Sequence, residues 1–62
     1  MYKAHYWRYQ VQDFAEFDTL DEAIAFQMNG VENLTHAPDR IEDADGNVVR
    51  TRNELSDIWM GW

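Results

Sequence analysis

The sequence predicts one α+β domain: a small antiparallel sheet in β-β-α-β-β-α order, with two amphipathic helices packed on one face. Three observations predict it. Two runs of β-branched and aromatic residues lie where strands would pair. Two Thr-x-x-Glu capping boxes share one spacing. Apolar residues after each box recur at helical intervals. All 62 residues belong to a single domain, 1-62.

The first strand is expected over residues 2–11, where Tyr, Trp and Val are enriched and Gly and Pro are absent. Alternation puts His5, Trp7, Tyr9 and Val11 on one face and Tyr2, Tyr6, Arg8 and Gln10 on the other. The first set, ending in Val11, is the expected core face. Gln12-Asp13 is the expected turn into a short second strand, Phe14 to Phe17.

Thr19-Leu20-Asp21-Glu22 then opens a helix. The Thr19 hydroxyl can accept from the Glu22 amide, and Asp21 and Glu22 suit the positive first turn. Gly30 is the expected C-terminal stop. At 100° per residue, Leu20, Ala23, Ile24, Gln27 and Met28 share one arc. Phe26 falls at its margin, as a rim contact or an exposed anchor.

Residues 31–37 read as a loop that Pro38 ends. Arg40-Ile41-Glu42 and Asn47-Val48-Val49-Arg50 flank Asp43-Ala44-Asp45-Gly46, and Asp-Gly between β-branched runs signals a hairpin. Thr51-Arg52-Asn53-Glu54 opens the second helix, where Leu55, Ile58, Trp59 and Trp62 follow i, i+3, i+4, i+7.

Composition bounds what such a domain does. Twelve acidic residues against five Lys and Arg leave a net charge of −7, with no cysteine. A chain of this size buries only about 60% of its unfolded surface. The three Trp, three Tyr and three Phe must therefore supply much of the core. A homodimer is another route to that stability. The charge disfavours direct contact with nucleic acid phosphates or anionic membranes. No apolar run nears the roughly 20 residues of a membrane span. Met1 to His5 lacks the apolar stretch of a signal peptide, so the expected location is cytoplasmic.

No catalytic constellation is visible, and the expectation is a protein without enzymatic activity, cofactor or metal. Asp43-Ala44-Asp45-Gly46-Asn47 has the look of a calcium loop. Aligned on Gly46, however, its first ligand position becomes Ile41 and its bidentate position Arg52. His5 and His36 have no partner at ligand spacing, and Ser56 has no base near it in sequence.

Asp13, Glu16, Asp18, Asp21 and Glu22 form an acidic run without a basic residue. It reads as a solvated face or as a patch for a basic protein surface. Tyr2, Tyr6 and Phe26 would supply apolar anchors. The function expected is thus a non-enzymatic protein-binding module: an inhibitor, adaptor or accessory factor. Two alternatives stand beside it. One is a small-molecule or nucleotide binder with an aromatic pocket. The other is an acidic mimic of nucleic acid.

The stretch Phe17-Asp18-Thr19-Leu20-Asp21-Glu22-Ala23, with Pro38-Asp39-Arg40-Ile41-Glu42-Asp43-Ala44-Asp45-Gly46-Asn47-Val48-Val49, resembles a pattern in short uncharacterised bacterial and phage α+β proteins. The resemblance spans about half the chain and implies the fold. It brings no catalytic residues.

Overall fold

The computed structural model describes residues 1–60, with side chains through residue 58. Its elements are β1 (Tyr2–Arg8), β2 (Val11–Phe17), α1 (Leu20–Asn33), β3 (Ala37–Glu42), β4 (Val48–Arg50) and α2 (Arg52–Met60). The strands form one antiparallel sheet in the order β2-β1-β3-β4. Both helices meet the same side of it: α1 touches α2, and Ala4, Ala23, Ile41 and Leu55 form one buried cluster. The expected α+β class and element order are therefore observed.

Local signals placed the helix starts. Thr19 Oγ1 accepts from the Glu22 amide at 3.2 Å, and Thr51 Oγ1 accepts from the Glu54 amide at 3.2 Å. In the second box Glu54 also reaches back to the Thr51 amide, at 2.9 Å. Gly46 adopts φ +87° in the β3–β4 turn, where Asp43 Oδ1 accepts from the Asp45 and Asn47 amides. The carboxylate closes a hairpin turn on its own backbone, the job that Asp does in Asx turns.

Four expectations are corrected. The β1–β2 turn is Tyr9-Gln10, not Gln12-Asp13. Both turn residues have positive φ, 51° and 67°, as a type I′ turn requires. This register sets Tyr2 opposite Phe17 and Ala4 opposite Ala15. Tertiary pairing thus places two non-glycine residues where local preference would put Asn-Gly.

The core face of β1 is the opposite one. Ala4 is fully buried, and Tyr2 packs against the same cluster. His5 and Trp7 belong to the helix-free face, and Tyr9 sits in the turn. Ala4 is small enough to let a helix approach closely, whereas a wall of His, Trp and Tyr is not.

Gly30 does not stop α1. The helix runs on to Asn33, and Leu34 caps it in the left-handed region at φ 57°. A Cβ at residue 30 would collide with the His36 ring, so the glycine makes room rather than a turn. The expected 31–37 loop shrinks to Leu34–His36, and Pro38 lies inside β3 near its start. Phe26, fourth, is neither a free anchor nor a rim residue. Its ring packs on Tyr6, Phe17 and His36, with centroids 5.4, 5.1 and 4.4 Å away.

A register shift between His5 and Tyr6 interrupts the β1–β3 ladder. There Gln27, fully buried in α1, donates Nε2 to the His5 carbonyl at 2.8 Å. A helix amide thus meets the backbone beside a bulge. On α2, Leu55 is buried as the stripe requires and Ile58 is 42% exposed. The Trp59 and Trp62 positions of that stripe lie outside the described side chains.

Candidate functional site

The five acids of the expected patch do not share a surface. Glu16 stands opposite Lys3 on the helix-free face, while Asp13 stands opposite Tyr6 on the other. Alternation along a strand separates residues three apart. Asp18 lies in the β2–α1 link, with Asp21 and Glu22 in the first turn of α1. These last three remain neighbours, and Glu22 is engaged in the Thr19 cap.

The expected aromatic anchors are also elsewhere. Tyr2, Tyr6 and Phe26 are half-buried, the two tyrosines on the helix side of β1 and Phe26 on α1 with its ring against Tyr6. Among the described residues the most exposed large apolar side chains are others: Tyr9 at 93%, Leu34 at 91%, Val11 at 63% and Met1 at 61%, with Val48, Phe14, Ile58 and Trp7 less so. The sequence signal for the missed pair was weak. Tyr9 sat in an apparent strand, and Leu34 in an apparent loop.

Tyr9 and Leu34 meet at one end of the molecule. α1 begins at the far end of β2 and returns, so its C-terminus arrives beside the β1–β2 turn. Arg8 joins the two segments by donating Nε to the Thr35 carbonyl at 3.2 Å. One shallow concavity is lined by Arg8, Tyr9, Leu34 and Thr35. A second is lined by Tyr6, Arg8, Tyr9, Val11 and Asp13. Among the described residues, the three non-glycine residues of positive φ, Tyr9, Gln10 and Leu34, all belong to this end. The left-handed region costs an L-residue roughly 1–2 kcal/mol. Glycine or asparagine would relieve it, so the exposed Tyr and Leu are held there against local preference.

Beneath this end lies His36, only 9% exposed. Its ring stacks on Phe26 and sits 4.7 Å from the Tyr6 ring. Nδ1 is 3.4 Å from Thr35 Oγ1, and Nε2 is buried without a hydrogen-bond partner. Burial, then the charge of Arg8, push its pKa below the ordinary histidine value; the Phe26 backbone pulls weakly the other way. The neutral imidazole therefore acts as one ring in an aromatic layer.

The helix-free face carries a chain of charge pairs. Asp39 accepts from Gln12 at 2.8 Å, from Arg40 at 2.6 Å and from Arg52 at 3.0 Å. Arg40 also donates to Glu42 at 2.7 Å, and His5 Nε2 lies 3.1 Å from Glu42. Burial raises the Asp39 pKa, but the Arg52 hydrogen bond and the two guanidinium charges outweigh it and leave it lowered. Glu42 is lowered chiefly by Arg40. Two of the five Lys and Arg residues, Arg40 and Arg52, are thus committed to internal carboxylates. Among the described residues, no three His, Asp or Glu side chains converge as metal ligands. No helix among them is long and apolar enough to cross a membrane.

Comparison with protein-family models, with curated proteins and with solved structures finds no match.

Proposed function

We propose that the protein is a non-enzymatic protein-binding module, an inhibitor, adaptor or accessory factor, whose contact end is built from Tyr9, Leu34, Val11 and Arg8. One observation carries the reading. Two large apolar side chains, each more than nine-tenths exposed, are presented side by side from backbone positions that favour glycine or asparagine. Tyr and Arg are frequent energetic centres of protein interfaces. The net charge of −7 selects a partner of basic surface. Asp13 lies beside the contact end. The Asp18, Asp21 and Glu22 group sits at the other end of α1, about 20 Å away at 1.5 Å per residue. Those three act through the long-range field, on association rate rather than on contact.

Substitutions that suit the backbone test this. Tyr9→Asn with Gln10→Gly fits a type I′ turn, and Leu34→Gly fits a left-handed cap. The triple variant is expected to melt higher than the natural chain yet lose a salt-sensitive protein partner in affinity capture from lysate. Retention of the same partner by the stabilised variant would refute the contact end. A retained small molecule with no protein partner would favour the aromatic-pocket alternative.

A further inference from the structure

The geometry points to a two-fold homodimer in which β2 pairs antiparallel with β2 of a second copy, centred on Phe14, to make one eight-stranded sheet. This inference does not rest on the contact end proposed above, although Val11 borders both surfaces.

β2 is an edge strand, next to β1 alone. The other edge, β4, is three residues long and so offers little to pair with, whereas β2 has seven residues. Its pairing with β1 has no bulge, and it contains neither Pro nor Lys. Bulges, Pro and Lys all blunt an edge against association, and β2 has none of the three; the charges it does carry, Asp13 and Glu16, oppose pairing except in a register that keeps like charges apart.

The backbone groups on that edge follow from the turn. In a two-residue hairpin the flanking residues, Arg8 and Val11, bond to each other. Alternation then turns Val11, Asp13, Ala15 and Phe17 toward β1, and Gln12, Phe14 and Glu16 outward. The Phe14 amide confirms the parity: it donates to its neighbour's Asp13 Oδ1 at 2.8 Å rather than across to β1.

A second copy fits this edge in one register. Centred on Phe14, the outward residues pair as Gln12 with Glu16, Phe14 with Phe14, and Glu16 with Gln12, giving six interchain hydrogen bonds. On the helix side, Val11 meets Phe17 and Asp13 meets Ala15. No like charges stand opposite each other: Glu16 faces the Gln12 amide and Asp13 faces Ala15. Shifting by two residues one way sets Asp13 against Asp13. Shifting the other way sets Asp13 against Phe17 and leaves two outward pairs instead of three. The strand is thus complementary to itself, which an unrelated peptide need not be. In the lone chain the Asp13 carboxylate occupies the Phe14 amide and competes with this pairing.

The experiment is sedimentation equilibrium with concentration-dependent amide NMR on the full chain. Expected is a monomer–dimer equilibrium in which the amides of Gln12, Phe14 and Glu16 respond to concentration and those of Val11, Asp13, Ala15 and Phe17 do not. Glu16→Pro removes an outward N–H that β1 does not use, so the fold tolerates it. It deletes two interchain bonds and raises the dimer Kd about 5- to 150-fold, although it also removes a repelling charge. Asp13→Ala frees the Phe14 amide and tightens the dimer more than Asp57→Asn, a matched charge change on α2. Added salt screens two chains of net charge −7 and tightens the dimer, whereas it loosens a basic partner. The salt responses therefore separate this inference from the binding function. A monomer at millimolar protein, a dimer whose shifts fall elsewhere, or undiminished association of Glu16→Pro would each overturn the inference.

Discussion

Gly30→Ala should destabilise this protein, against the general rule for helices. Residue 30 lies three residues from the end of α1, with its φ outside the left-handed region. At such a site alanine is worth about 1 kcal/mol over glycine, through propensity and a more restricted unfolded chain. Here the added methyl would overlap the His36 imidazole at Nε2, Cε1 and Cδ2. That ring cannot simply swing away, because Phe26 stacks on it and Tyr6 adjoins it. Overpacking a filled site costs roughly 1–3 kcal/mol. The net is a loss of about 0–2 kcal/mol, near 1 at the centre, or a fall in Tm of about 4–8 °C for a domain this small. A double-mutant cycle isolates the cause. In a His36→Ala background the obstacle is gone, and Gly30→Ala should raise Tm by about the same amount. The coupling between the two positions is then about 2 kcal/mol, measured by urea and thermal unfolding of the four proteins. A Gly30→Ala variant that is more stable than the natural chain, or an unchanged effect without His36, would refute the steric argument.

Acid should weaken the fold in two stages. The folded-state pKa of His36 lies below its ordinary 6.5, so the unfolded chain binds the proton first. Stability from this group is complete above about 6.5 and falls as pH drops below it, by at most about 1.4 kcal/mol per pH unit. His36→Phe should flatten urea-unfolding midpoints between about pH 7 and 5, and an unchanged slope would assign the loss elsewhere. The second stage belongs to Asp39, Glu42 and Asp43, whose pKa values are lowered from 3.8, 4.5 and 3.8. Their contribution is present above those values and is lost as pH falls below them. Thr19→Ala should cost about 1 kcal/mol by removing the acceptor for the Glu22 amide, with Thr19→Asn restoring most of it in thermal unfolding.

Some of this molecule was legible residue by residue. Thr19 and Thr51 announced their helices, and Asp43 to Gly46 announced its hairpin. A cap or turn is settled by hydrogen bonds within four or five residues, so the sequence by itself determines it. The acid excess was likewise plain from composition.

The tertiary structure decided what depends on distant neighbours. It chose the face of β1 carrying Ala4 over the face carrying Trp7, because helix approach rewards a small residue over a large one. It carried α1 through Gly30, because His36 needed the space that a missing Cβ leaves. It moved the first turn to Tyr9-Gln10, because the register must set Phe17 beside Tyr2. The candidate contact end escaped the sequence for the same reason. Tyr9 and Leu34 are 25 positions apart in the chain, and only the antiparallel return of α1 brings them together. The edge of β2 was hidden too, since strand order follows from which partners bury the core and not from any local signal.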